Sequence, residues 1–489
     1  MARRFLAVVA CLLWPLAAQA EPLRPLPALL HAHSTFSTGD LPLDRLVAEA
    51  KRQGLEAVLL TENYLLRVEY GLWPFRAATR VTREEPSVLS RGVEAYLAQV
   101  AEVRRGFPDM LIVPGVEVIP HYHWTGSPLT GNLTNHDLQK NLLVFGIVDP
   151  ETLKRLPSTG NPHLRGYTAW SVVEALPGLL VLPGLWLILA RQRRVRRLAG
   201  FTIVEYRRRW PAGGILCVLG VVALVRAFPF TEDPRSAYRA DPELSAHQAL
   251  IDYVESRGGA TVWSFPEARD SSDYAFAGLT VRVRTDPYPD DLVSTFRYTA
   301  FGGVYEDTTR FTTPGGMWDY ILGKYLAGER SRPPWAVGES GFHGYVGGKR
   351  VGPIQTVFLV NETSEAALLQ SFRAGRMYAL SRSPAYALAL QEFTVRQGAA
   401  EAISGGTLQA SRNRPLEVRV RLRATDGRGY PIKAILVRNG QVAQAWAGKT
   451  PLDVVYRDPI GGAPSYFRLD VHGPGPHQLL TNPIFVREG

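Results

Sequence analysis

The sequence predicts an α/β fold that is split by a two-helix membrane hairpin and followed by a small antiparallel β domain. Three observations predict it. Apolar strand-like runs alternate with amphipathic helix-like runs on both sides of a central segment; that segment carries two long apolar runs around an arginine cluster; and from about residue 384 the pattern changes to period two. The 489 residues, 46% hydrophobic and 20% charged, suffice for more than one core, and no stretch is repetitive or of low complexity.

The first twenty residues, MARRFLAVVACLLWPLAAQA, join two arginines to an apolar run from Phe5 to Ala18 and a small-x-small ending at Ala18-Gln19-Ala20. This is the pattern of a secretory signal peptide, so the chain beyond Glu21 is expected outside the cytoplasm. The two cysteines, Cys11 and Cys217, lie in the signal and in a later apolar run. The mature chain is thus expected to rely on packing or a metal rather than on a disulfide.

The α/β alternation begins at Leu29. An apolar strand leads to LDRLVAEAKRQGLEAVLL, which places Leu43, Leu46, Val47 and Ala50 on one helical face, stops at Gly54 and re-enters a strand at 56–60. A helix over 92–105 and short buried strands in MLIVPGVEVI (110–119) and NLLVFGI (141–147) continue the rhythm. After the central segment it resumes with helices at 243–257, 315–327 and 364–374, which predicts one α/β unit interrupted by an insertion. The glycine-bounded stretch 302–316 lacks a P-loop lysine and reads as a surface loop.

The insertion reads YTAWSVVEALPGLLVLPGLWLILA from Tyr167 to Ala190 and PAGGILCVLGVVALV from Pro211 to Val225. Between them, 191–210 holds eight arginines against Glu205. Arginines in a short loop resist translocation, so the loop is expected in the cytoplasm, near anionic lipid headgroups, and the globular parts outside. Arg226, Phe228 and Phe230 suit the outer boundary. This loop with Arg3 and Arg4 accounts for nine of the ten net positive charges, which leaves no nucleic-acid footprint on the folded parts.

Beyond the α/β unit, LEVRVRLRATDGRGYPIKAILVRNGQVAQAW alternates with turns at DGRG and NG, as antiparallel strands do, and TNPIF is expected to dock the last strand. The expected organisation is a signal peptide at 1–20, an α/β unit in two parts (29–165 and 231–382), a hairpin at 166–230 and a β-rich domain at 383–489.

Chemistry concentrates after the first strand. His31 and His33, two residues apart at a strand mouth, can face one pocket and bind a divalent metal through imidazole nitrogen, with carboxylates from later strand ends completing the shell. By themselves they read equally as two loop histidines. Ser340 in GESGFHG lacks the spacing of a nucleophile elbow.

The order of the motifs adds to this. HAHSTFSTGDLPLDRLVAEAKRQGLEAVLLTEN, then PGVEV at 114–118, NLLVFGI, SFPE and ESGFH resembles the PHP (polymerase and histidinol phosphatase) superfamily over about 30–150 and 240–380. The resemblance implies a distorted seven-stranded α/β barrel with a metal cluster at the strand ends, hydrolysing phosphoesters with metal-activated water. It further implies His31, His33, Glu117 and His343 as ligands of one or two divalent ions (Zn, Mn or Fe), and a small phosphorylated substrate.

The chain departs from the family pattern at several positions. Thr38 stands in place of an aspartate, Glu62 and Asn63 in place of an aspartate and a histidine, Asn141 and Phe265 in place of histidines, and Gly341 in place of an aspartate. Glu62 can substitute as a ligand, and Glu62 and His343 are candidates for a part in the chemistry. Local replacements for the lost ligands are Glu339, His121 and His123, then His136, Glu267, Asp270 and Asp273. Two functions are therefore expected: a membrane-tethered, exported metal-dependent phosphoesterase, or a degenerate relative that keeps the fold as a non-catalytic ligand-binding or scaffolding module.

Overall fold

The computed structural model describes residues 23–489 apart from 199, 277, 307, 308, 413 and 460–462. The signal-peptide reading of 1–20 lies outside the described residues. The architecture is mixed α/β, built around an eleven-stranded and a six-stranded sheet.

The strand Arg24–Leu30 lies inside the larger sheet, parallel to Ala57–Leu59 and antiparallel to Ile354–Val360. Between the first two, the helix Leu43–Arg52 turns Leu43, Leu46, Val47 and Ala50 inward, as their spacing requires. Burying each of the larger side chains contributes about 1.5–3 kcal/mol.

Two chain segments leave this sheet and enter the other. The apolar run 110–119 forms two strands: Leu111–Val113 pairs with Ala57–Leu59, and Gly115–Val118 pairs with Leu142–Phe145. The break falls at Pro114, which has no N–H to give a ladder. Gly115 permits the crossing, because a Cβ there would lie 2.5 Å from both the Leu60 carbonyl oxygen and the Phe145 ring. Likewise Ala57–Leu59 gives way to Glu62–Asn63, which pairs with Gly115–Val118 and sets Asn63 opposite Glu117. The smaller sheet then runs through Leu142–Phe145, Ala260–Trp263, Ala300–Val304 and Trp335–Gly338. A bridge between Ala32 and Phe342 brings the segment after its last strand beside the end of the first strand of the chain.

Three expectations need revision. The stretch 302–316 is not simply a surface loop: Ala300–Val304 is a fully buried strand, and Phe301 packs edge-on against Phe311 and Trp318. The glycine-rich sequence reflects close packing, since a side chain on Gly302 would collide with the Glu339 carboxylate. The arginine-rich segment is an antiparallel ribbon, Gln192–Leu198 against Phe201–Arg207, turned at Gly200 (φ +87°), with β-branched residues Val195, Thr202, Ile203 and Val204 favouring extension. The C-terminal strands do not stand apart from the α/β unit: Gln478–Thr481 pairs with Met377–Ser381 and extends the larger sheet. Two polar anchors fix this junction. Buried Arg468 donates to both oxygens of Asp319, and Asn482 bonds the backbone of Ala336 and Met377.

The two apolar runs are helical over Ala169–Leu189 and Trp210–Ala227, long and apolar enough to cross a membrane, and their apolar side chains are mostly exposed. Glycines let them approach closely: a Cβ on Gly184 would lie 2.6 Å from the Cys217 sulfur and 2.9 Å from the Gly213 carbonyl oxygen.

Candidate metal centre

The ends of four strands and one isolated bridge meet at one rim. His31 and His33 follow Arg24–Leu30, Glu62 and Asn63 form their own short strand, Glu117 is in Gly115–Val118, Glu339 follows Trp335–Gly338, and His343 lies just beyond the Ala32–Phe342 bridge. His31 has φ +71°, a conformation that non-glycine residues rarely adopt and that turns the chain sharply at the strand end.

His31, His33, Glu117 and His343 each present one ligand atom within 4.8 Å of every other. His31 Nε2 lies 3.1 Å from His33 Nε2 and 3.4 Å from a Glu117 oxygen, and the other Glu117 oxygen lies 3.6 Å from His33 Nε2. His343 stacks on His33 with ring centroids 3.8 Å apart. The first three residues are buried and His343 sits at the exposed rim. Two imidazole nitrogens facing each other beside a carboxylate need a cation or a proton between them, and three imidazoles with one carboxylate form a donor set suited to a borderline transition metal.

The surrounding residues hold these donors in place. Glu339 accepts from His31 Nδ1 at 2.7 Å, from Ser264 at 2.6 Å and from the Phe265 N–H at 3.0 Å, which fixes the His31 ring with Nε2 toward the centre. Glu62 does not reach the centre; its carboxylate accepts from the Ser34 N–H and from the hydroxyls of Ser34 and Ser37. The Asn63 and Asn141 amides donate to the two Glu117 oxygens, at 2.9 and 2.7 Å. Thr38 links the Asn63 carbonyl oxygen to His343 Nδ1, at 2.7 and 2.8 Å.

The electrostatics follow from burial and these partners. Burial disfavours a charged His31, but the Glu117 and Glu339 carboxylates outweigh it and raise its pKa to about 9. Burial, with His343 and His31 alongside, holds His33 well below the usual imidazole value. Loss of solvent around the His343 ring, with His31 and Lys349 nearby, outweighs the pull of Glu117 and lowers it to about 4. For Glu117 burial works against ionisation, yet the neighbouring histidines hold it below the usual carboxylate range. Burial raises Glu62 to about 7 against the opposing serine hydrogen bonds.

The other side of the rim is apolar. Phe265 stacks on His31 with centroids 5.2 Å apart and packs edge-on against Tyr305. Gly341, at φ +56°, faces it, and a Cβ there would lie 2.6 Å from the Phe265 ring. The phenyl ring and the missing side chain are complementary. Lys349 is a nearby cation; its Nζ donates to the Gly341 carbonyl oxygen at 3.1 Å and pairs with the Glu306 carboxylate at 3.5 Å.

Of the weaker candidates, Glu339 supports His31, while His121 and His123 lie elsewhere. His121 spans Thr159 and the Arg239 carbonyl oxygen, and His123 stacks on His136. The sequence reading missed Ser34, Ser37, Ser264 and Lys349. The serines of HSTFS could have been suspected from their position beside His33, whereas Ser264 and Lys349 carry no local signal.

No known family profile matches the chain, and a search of curated proteins finds no match. Among solved structures, the chain is similar to a two-domain protein from Bacteroides vulgatus containing a predicted PHP-like metal-dependent phosphoesterase, at 12% identity and TM-score 0.36, over 92% of this chain and 90% of the other. It is also similar to a candidate metal-dependent phosphoesterase from Bifidobacterium adolescentis, at 13% identity and TM-score 0.29, over 68% and 92%. A third is an amidohydrolase from Chromobacterium violaceum with bound sulfate and no metal, at 13% identity and TM-score 0.26, over 66% and 89%.

Proposed function

We propose that this chain is a divergent PHP-like, metal-dependent hydrolase, a phosphoesterase, held at a membrane by its hairpin. The single observation that carries the reading is the convergence of His31, His33, Glu117 and His343 from separate strand ends. Seven strand positions support the barrel that the family resemblance implies: Arg24–Leu30; Ala57–Leu59 continued by Glu62–Asn63; Leu111–Val113 continued by Gly115–Val118; Leu142–Phe145; Ala260–Trp263; Ala300–Val304; and Trp335–Gly338.

The residues fit one divalent ion (Zn, Mn or Fe) better than two. His31, His33, Glu117 and His343 would hold it, whereas Phe265 and Gly341 offer no side-chain donor, the Asn63 amide is engaged at both ends by Glu117 and Thr38, and Asn141 adds only a neutral amide oxygen. A divalent ion at such a centre supplies an acidified water and neutralises charge on a phosphoryl group. The protein's part is to keep the donors aimed through Glu339 and the asparagines, and to place the Lys349 ammonium where an anionic substrate enters. Glu62 acts through Ser34 and Ser37 as a positioning group for the His33 loop.

The membrane part of the proposal rests on the two exposed apolar helices and the arginine cluster between them. In this reading both globular parts (29–165 with 231–382, and 383–489) are exported, and the ribbon within 191–210 remains cytoplasmic. Its arginines lie against anionic headgroups, each contributing about 1 kcal/mol near the surface.

The apolar Phe265–Gly341 side favours one alternative, a protein that keeps the centre to bind a ligand without catalysis. Turnover of bis(4-nitrophenyl) phosphate by the full chain in detergent with Mn²⁺ separates the two. The hydrolase reading expects turnover that disappears with a chelator and in His31→Ala. Turnover unchanged by both, or none with metal bound, would sink it.

A further inference from the structure

The hairpin is rooted in the rim that carries the metal centre. Tyr64, the residue after Asn63, receives a hydrogen bond from Asn161 at 2.9 Å. Just after Glu117, the carbonyl oxygens of Ile119 and Pro120 accept from the Ser158 hydroxyl and the Thr159 N–H. The segment entering the hairpin is therefore stitched within three residues of two site residues. The segment leaving it is held by the same loops: the Trp124 N–H donates to the Ala237 carbonyl oxygen, His121 reaches the Arg239 carbonyl oxygen, and the Gly71 N–H donates to the Tyr238 hydroxyl. A two-way backbone bridge between Gly166 and Glu232 closes the roots on each other.

A rim loop also descends beside the helices. After Glu62–Asn63 the chain forms Leu66–Tyr70, passes through 71–75 and enters the short helix Arg76–Thr79. Arg76 pairs with Glu174 of the first apolar helix at 3.2 Å, and Arg80 donates to the Arg226 carbonyl oxygen at the end of the second at 3.0 Å. Trp73, three residues before Arg76, is 71% exposed, and Tyr167, Trp170 and Phe228, at or beside the ends of the two apolar helices, are exposed as well. Exposed aromatics near the ends of apolar helices suit a membrane interface.

Resting on the hydrolase and membrane readings above, we propose that the substrate is a phosphoester carried by a membrane lipid, presented to the centre from the bilayer surface beside the hairpin, with Trp73 seated in the interface. A rim clamped at the membrane meets lipid headgroups at high local concentration, whereas a soluble ester gains nothing from the anchorage. The reaction balances as a hydrolysis. Water's oxygen bonds to phosphorus, the ester P–O bond breaks, and the departing alcohol oxygen takes the proton.

The test uses the full chain reconstituted with Mn²⁺ in vesicles of phosphatidylethanolamine, phosphatidylglycerol and cardiolipin, with headgroup release followed by ³¹P NMR. Soluble bis(4-nitrophenyl) phosphate is assayed in parallel. Expected are release from the vesicles and, for Trp73→Ser, a loss of lipid turnover of about tenfold with turnover of the soluble ester kept within about twofold, and recovery in Trp73→Phe. Cleavage of the soluble ester with no lipid release, or an equal loss on both substrates in Trp73→Ser, overturns the lipid assignment and leaves the hydrolase reading standing. Cleavage of neither overturns both.

Discussion

The two sides of the rim contrast in chemistry and agree in craftsmanship. On one, three histidines and Glu117 converge, with Glu339 holding His31 and Asn63 and Asn141 holding Glu117. On the other, where the family resemblance would place further ligands, Phe265 fills the space and Gly341 makes room for it. The polar side is held by hydrogen bonds and the apolar side by packing, so different substitutions break each.

This contrast can be broken first at Glu117. In Glu117→Ala the carboxylate is lost while Asn63 and Asn141 lose their acceptor, and affinity for Mn²⁺ or Zn²⁺ in competition with a chelating dye is expected to fall by more than about 100-fold. A smaller loss would mean that the ion sits elsewhere. Glu339→Gln keeps the shape but weakens the hold on His31 Nδ1, so a loss of about 10–100-fold is expected in the same titration.

The apolar side is tested by Gly341→Ala. The new methyl would meet the Phe265 ring in a left-handed backbone, and thermal unfolding is expected to show a loss of about 1–3 kcal/mol. If the two residues are complementary, the penalty shrinks when Phe265→Ala is added, and a double-mutant cycle reads the coupling. Additive effects would remove the case for mutual adaptation.

The gentlest change, about tenfold at most for each pH unit, sharpens the polar side. His31 without metal holds its proton up to about pH 9 because Glu117 and Glu339 outweigh its burial, so a metal must displace that proton. Affinity should therefore rise as pH increases from neutrality, by at most about tenfold per unit, and level off above about pH 9. His33 and His343 are held low and add no dependence there. A flat profile between pH 7 and 9 would place the metal away from His31.

Much of the fold was legible because its signals are local. The helix Leu43–Arg52 and the two apolar helices declare themselves by spacing and length, and HAH with PGVEV marked three of the four converging residues. What could not be read is set by distant packing. Nothing near 302 says that Gly302 is small for the sake of Glu339, and nothing in SFPE says that Phe265 needs a glycine at 341. Glu62 looked like a ligand because a carboxylate occupies that motif position, yet Ser34 and Ser37 claim its oxygens. His121 looked like a spare ligand from its nearness to Glu117 in sequence, but the turn after that strand carries it to the hairpin roots.

The most direct measurement is the metal content of the purified full chain after equilibration with excess Mn²⁺ or Zn²⁺ and desalting, beside His31→Ala and Glu117→Ala. The account predicts about one ion per chain, lost in both variants. A second tightly held ion, or an ion retained in both variants, would contradict it.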